Sequence, residues 1–209
     1  MVRHGDGGRQ ARIFGKVEKR AVAIKIYIDQ GHNPVNPNAG AEGNGLREQD
    51  IVYRIGQETA ALLRANSNFE VRLSRPTAET QLGTSNAGSL AARVRDANAW
   101  GADYFISLHT NASDLAAATG SEAFVYARGS SAFALAENLL GALEEETGLY
   151  NRGVFTRPGL YVLRRTAMPA VLLELGFITN PRDARLMNTQ PELFARGVYE
   201  GILRYTGLA

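Results

Sequence analysis

His32, Glu48, His109 and Glu174 are the residues of this 209-residue chain whose types and settings could do chemistry together. The chain has no cysteine, so a bound metal would have to use His, Asp or Glu. A catalytic zinc takes three protein ligands and leaves one position open. His32, Glu48 and His109 supply such a set, with 15 and 60 residues between them. Those separations exceed any local helix motif and suit a site assembled across a sheet edge, with one ligand carried in by a helix. Glu174 stands within Val171-Leu-Leu-Glu-Leu-Gly-Phe177. A carboxylate buried there unpaired costs several kcal/mol, so it needs a partner, a proton or a nearby cation. Beside a water activated by a metal, it would take a proton from that water and return it to a leaving nitrogen, which is amide hydrolysis without a covalent intermediate. Plainer roles stand beside these. A histidine at a strand end is commonly just hydrogen-bonded, and Glu48 fits the first turn of a helix, where the dipole favours an acid. Glu174 could form a buried ion pair with Arg93 or Arg152, although Arg93 reads most simply as a surface helix residue. Asp29 is placed to orient an imidazole.

The elements that must position these residues are legible. Tyr104 to Asn111 is a short apolar strand, read as buried on both faces, that ends on His109. Ala21 to Asp29 is a second strand running into Gly31-His32, and Val171 to Leu175 a third that carries Glu174. Open α/β sheets collect their chemistry at the carboxyl edge, where all three deliver these side chains. A polar loop with two Asn-Pro pairs spans Gln30 to Gly45, and a helix Leu46 to Ala65. Phe69 to Leu73 reads as a strand, and Ser85 or Asn86 caps a helix bearing Leu90, Val94, Ala97 and Trp100. Ser121 to Tyr126 alternates as a strand with one wet face, and Ser131 to Thr147 is a helix closed by Gly148. Tyr161 to Leu163 reads as a brief strand, Asn180-Pro181 opens a short helix, and a terminal helix runs from Glu192 to Arg204 behind Pro191. Strands alternating with helices imply a three-layer α/β domain over residues 21–209 with a largely parallel sheet. Residues 1–20, rich in glycine and charge, read as a mobile extension that includes His4.

The net charge of +2 divides unevenly: residues 1–20 hold six Lys or Arg against two acids, so the remainder is slightly acidic. That distribution argues against nucleic acid as a partner, since phosphate binding needs a basic patch on the folded surface. No apolar run is long enough for membrane insertion, and residues 1–20 lack an apolar secretory core. Oligomeric state leaves no mark in the sequence.

The motifs Asp29-Gln-Gly-His32, Gly45-Leu-Arg-Glu48, Leu90-Ala-Ala-Arg93, Ile106-Ser-Leu-His109-Thr-Asn111, Gly120-Ser-Glu122, Asn151-Arg-Gly153 and Met168 through Asn180 occur in an order and spacing that is similar to one known family. The chain resembles the zinc-dependent N-acetylmuramoyl-L-alanine amidases of the amidase-3 type, from Ile24 to Tyr205. The resemblance implies a twisted, mostly parallel six-stranded sheet flanked by helices. It implies one zinc on His32, Glu48 and His109, with Glu174 as catalytic acid and base. Asp29, Arg93, Asn111 and Arg152 would contact substrate or support the ligands. The substrate would be peptidoglycan, cut between N-acetylmuramic acid and L-alanine, as in autolysins and endolysins acting in the cell wall or outside the cell. Two positions depart from the pattern: Asn33-Pro34 after the first histidine, with Asn33 expected to supply left-handed backbone, and Gln49 after the glutamate. Division-associated members carry a long insert with a helix that plugs the site, where this chain has only a few residues joining Tyr126 to Ser131; the expectation is an open site. The rival readings are a catalytically weak wall-binding module and a zinc peptidase cutting within the stem peptide.

Overall fold

The computed structural model describes residues 22–209, so the expected extension over residues 1–20 lies outside the described residues. In chain order the elements are β1 (Ile24–Gln30), β2 (Glu42–Gly43), β3 (Leu46–Arg47), α1 (Glu48–Ala65), β4 (Phe69–Leu73), α2 (Asn86–Trp100) and β5 (Tyr104–Asn111). They continue as β6 (Ser121–Val125), α3 (Ser131–Thr147), β7 (Asn151–Thr156), α4 (Tyr161–Arg165), β8 (Ala170–Phe177), α5 (Pro181–Thr189) and α6 (Pro191–Thr206). Six strands form one sheet in the order β4-β1-β5-β8-β6-β7. The first four of that order are parallel, whereas β6 meets β8 antiparallel and β7 follows β6. The sheet is mixed but mostly parallel, as expected.

Its central strands are apolar on both faces because both faces are covered. Ile26, Ile28, Ile106 and Leu108 point into the larger core beneath α1, α3 and α6, while Tyr27, Phe105 and Leu172 point into a smaller core beneath α2 and α4. Polar side chains cap the beginnings of three helices. Ser85 accepts the Gly88 N–H at 3.0 Å, Ser130 that of Phe133 at 3.2 Å, and Asn180 those of Arg182 and Asp183 at 2.9 and 3.2 Å. Gly148, with φ +65°, closes α3.

Several local expectations are corrected. Tyr161 to Leu163 is the start of α4, not a strand. Three residues carry too little pattern to decide, and tertiary packing wins: Val162 and Leu163 are buried against the smaller core, and the Thr166 hydroxyl donates to the Val162 carbonyl at 2.7 Å. The end of the Gln30 to Gly45 loop pairs as β2 with β3, so Leu46 and Arg47, expected as the first residues of the helix, are a short strand and α1 begins at Glu48. Strand β7, whose Asn, Arg and Gly hide its pattern, forms the far edge. The wet face expected on Ser121 to Tyr126 is dry at its start, because β6 lies inside the sheet: Ser121 and Glu122 are buried, and the Ser121 hydroxyl donates to the Leu175 carbonyl at 2.7 Å.

Helices α3 and α6 touch through glycine. A Cβ on Gly201 would lie 2.6 Å from Leu139 Cα, and one on Gly197 2.9 Å from Leu143 Cα. Gly201→Ala should therefore lower the unfolding free energy by about 1–3 kcal/mol, measured by denaturant titration, while metal affinity stays at the wild-type value.

Candidate metal centre

Strand β1 ends at Gln30, and the chain must leave it beneath the His109 ring. Gly31 makes this possible: a Cβ there would stand 2.5 Å from His109 Cε1 and 2.7 Å from the Leu108 carbonyl oxygen. The next residue, His32, takes left-handed backbone with φ +65°. The strain expected on Asn33 thus falls on the histidine itself. Asn33 is instead the clasp of the loop, its amide donating to the Pro37 and Leu82 carbonyls at 2.8 and 3.0 Å and its oxygen accepting the Leu82 N–H at 3.1 Å.

Arg93 fixes this exit from below. It is buried, not on the surface as its helix spacing implied, and its guanidinium donates to the Asp29 carboxylate and to the carbonyls of Gln30 and His32. The Ser107 hydroxyl donates to the other Asp29 oxygen at 2.7 Å. Asp29 therefore reaches no imidazole. Burial pushes its carboxyl up, but the Arg93 charge and the Ser107 and Arg93 hydrogen bonds outweigh that and hold it below the usual range.

Glu48 is the first residue of α1 and is gripped by backbone. Its N–H donates to the Ala41 carbonyl at 2.9 Å, its Oε2 accepts the Ala41 N–H at 2.9 Å, and its Oε1 accepts the Thr110 N–H at 2.9 Å. Gln49 steadies the same loop by accepting the Gly40 N–H at 3.1 Å. Gly40 leaves room for the site, since a Cβ on it would lie 2.7 Å from Glu48 Oε2 and 2.9 Å from His32 Cδ2. Onto this carboxylate converge His109 Nδ1 at 3.0 Å and His32 Nε2 at 3.2 Å from Oε1. One candidate donor atom from each of the three residues lies within 4.8 Å of the others. Bonds of about 2.0–2.1 Å in a tetrahedron place ligands about 3.3 Å apart, so the set fits zinc by donor chemistry and by spacing. Burial raises the Glu48 carboxyl, yet hydrogen bonds to His109 and His32 and their charge outweigh it and hold it far below the usual range. It is an anion facing two nitrogens, the charge pattern a dication wants.

Glu174 sits one strand away, paired in register with His109 on one side and Glu122 on the other. Neither arginine proposed as its partner reaches it. Arg93 is spent on Asp29, and Arg152 Nε donates to Glu122 Oε2 at 2.7 Å. Glu174 Oε2 is buried with no hydrogen-bond partner among the described residues. Burial first, then the charges of Glu48 and Glu122, push its carboxyl up to about 8. Asn111 Nδ2 donates to Glu122 Oε1 at 2.8 Å, so Asn111, Glu122 and Arg152 form one chain of contacts beside Glu174. Glu122 lay in a quoted motif but was given no task by the sequence. Its signal was an acid at the start of an otherwise apolar strand. A cavity of about 140 Å³, lined by Leu90, Leu160 and Leu172, lies against His32 and His109.

A model of the N-acetylmuramoyl-L-alanine amidase family, amidase-3 type, matches residues 26–204. The chain belongs to this family. Among curated relatives, the amidase CwlM of Bacillus licheniformis is 34% identical over 190 residues, covering 89% of this chain and 70% of that protein. The amidase LytC of Bacillus subtilis is 31% identical over 198 residues, and this chain spans only 38% of its length. The solved catalytic domain of CwlV, an N-acetylmuramoyl-L-alanine amidase from Bacillus (Paenibacillus) polymyxa, superimposes with a TM-score of 0.78 at 28% identity, over 89% of this chain and 99% of that one. The amidase is accordingly a hydrolase of peptidoglycan that cuts the amide between N-acetylmuramic acid and L-alanine. Among the described residues no helix is long and apolar enough to cross a membrane.

The close passage of Gly31 beneath His109 generates a test. Gly31→Ala should weaken zinc binding by about 10- to 100-fold, as displacement of a group supporting a ligand does. Gly159→Ala, whose Cβ meets nothing within 4 Å, should leave it unchanged. Competition titration against a chromophoric chelator reads both.

Proposed function

We propose that His32, Glu48 and His109 hold one zinc ion and that Glu174 moves the proton of the reaction. The observation that carries this reading is Glu174 Oε2, a buried carboxylate oxygen with no hydrogen-bond partner among the described residues, one strand from a candidate ligand histidine. Zinc bound there would polarise the substrate carbonyl and bring the pKa of a water to about 7. Every other task falls to the chain. Glu48 is held by backbone hydrogen bonds, and the two imidazoles are confined by the close passage of Gly31 and Gly40 and by their contacts with Glu48 Oε1. Glu174, desolvated and flanked by acids, keeps its proton near neutrality while the centre holds no cation; a dication beside it would favour its anion, the form that takes a proton from water. It takes that proton as the water oxygen bonds to the carbonyl carbon, then passes it to the nitrogen as the C–N bond breaks, giving a muramoyl carboxylic acid and a free alanine amino terminus. The site would be open, with only residues 126–130 linking β6 to α3 and no helix inserted between them. The place of action follows the substrate, the wall or the space outside the cell.

Purified protein alone, with no activator, should release new amino-terminal alanine from peptidoglycan. The activity should vanish with chelator, return with zinc, and fall about 10²- to 10⁴-fold in Glu174→Gln that still holds zinc. Zinc binding without new alanine termini from any wall type would leave a wall-binding module, and a different new terminus would make the protein a stem peptidase.

The same carboxyl sets a pH dependence. In chelated protein the folded pKa of Glu174, about 8, lies above the ordinary carboxyl value, so the fold binds the extra proton. Stability from this group is full in acid and declines as pH rises from about 4.5 to 8. Glu48, lowered by its imidazoles, contributes in the opposite sense and is lost in acid. Thermal melts of chelated protein should show Glu174→Gln gaining on wild type at pH 8 and not at pH 5.

A further inference from the structure

Arg152 lies on β7, two strands beyond Glu174 and three beyond the strand that carries His109. Glu174 on β8 pairs in register with Glu122 on β6, and Glu122 with Gly153 on β7, so Arg152 flanks the outer end of that row. Its guanidinium is fixed on three sides. Nε donates to Glu122 Oε2 at 2.7 Å, Nη1 donates to the Thr119 carbonyl at 3.2 Å, and the group stands 5.0 Å from the centre of the Phe177 ring. Glu122 is itself held on its other oxygen by Asn111. Among the described residues Nη2 has no hydrogen-bond partner, and the Arg152 side chain is 35% exposed. Nη2 and the second hydrogen of Nη1 are thus left over, adjacent donors on a part-exposed planar group of the shape that takes a carboxylate bidentately.

We propose that Arg152 is a specificity residue that binds a free carboxylate on the leaving peptide, on the residue after the alanine. This rests on the reading of Glu174 as the group that serves the leaving nitrogen. The spacing agrees. Two strand steps of about 4.8 Å separate β8 from β7, roughly 10 Å, and an arginine reaches back over part of it. A carboxyl on the second residue lies about 7 Å from the scissile nitrogen along an extended peptide. Because the guanidinium is already ordered by Glu122, Thr119 and Phe177, little freedom is lost when the carboxylate docks. Amidation of that carboxyl removes the charge and replaces one acceptor by a donor that faces the donors of Arg152, so the site would distinguish the two forms of the peptide.

The test uses two muramoyl peptides identical except that the second residue carries a free carboxyl in one and a carboxamide in the other. Wild type should favour the free acid by about 10- to 100-fold in kcat/KM, mostly through KM. Arg152→Met should bring the ratio to within about twofold of unity, and Arg152→Lys should keep part of the preference. Loss of Arg152 also leaves Glu122 unpaired, so the double variant Arg152→Met with Glu122→Gln is measured alongside. A role confined to supporting Glu122 would slow both peptides alike and leave the ratio standing in the single variant. A wild-type ratio near one, or a ratio that survives Arg152→Met, overturns the proposal. If neither peptide is cleaved, the hydrolytic reading fails, and the affinities of the zinc-loaded Glu174→Gln protein for the two peptides still decide this one: equal affinities overturn it, and a preference for the free acid that Arg152→Met removes supports it.

Discussion

One buried cation, the guanidinium of Arg93, organises the half of the molecule that carries the candidate metal centre. It neutralises Asp29 and satisfies the carbonyls of Gln30 and His32 at the point where β1 gives up its sheet pairing. Backbone leaving a sheet normally finds its partners in water. Here the exit is buried, and the arginine supplies the missing donors. Through Ser107 the same cluster reaches β5, which carries His109. The positions of the two histidines are therefore coupled through one ion pair beneath them, and the left-handed backbone at His32 is tolerated because that pair over-determines it. Removing either partner would leave an uncompensated charge in the core, a larger loss than the absence of one contact.

Much of the site was legible because its logic is that of the sheet. An apolar strand flagged by its composition must end somewhere, and a histidine or glutamate at that end is delivered to the carboxyl edge. His32, His109 and Glu174 were readable on those terms, as was Glu48 as the first acid of a helix. What stayed hidden depends on tertiary neighbours. Arg93 looks like a surface residue because nothing local says that its helix buries that face. The grip of Ala41 on Glu48 needs the β2–β3 pairing, whose strands are two residues each and leave no periodic trace. Helix α4 and strand β7 are short segments whose state is set by what they pack on, and their residue types mislead. Glu122 shows the limit most clearly: its importance comes from facing Glu174 across an antiparallel pairing that no local pattern announces.

The two faces of the sheet divide the labour. The larger core, closed by α1, α3 and α6 and tightened by the glycine contacts of α6, supplies stability at a distance from the chemistry. The smaller one is built around Tyr27, Phe105 and Leu172 under α2 and α4, and the cavity against His32 and His109 opens on this side.

The reversal of β6 and β7 has a consequence for how such an enzyme diversifies. On the side of β1 and β5 the working edge receives strand endings, and the chain leaving β1 turns through His32 and returns at Glu48, the first residue of α1. On the other side the same edge receives strand beginnings, fed by the segment 112–120 and by the short link through Leu149 and Tyr150, where Leu115 and Tyr150 stand largely exposed. Length and sequence there can drift without passing through His32, Glu48 or His109. The half of the sheet that carries the candidate metal centre and the half built from β6 and β7 are in this sense separately heritable, and one scaffold can vary along one edge while the other is left alone.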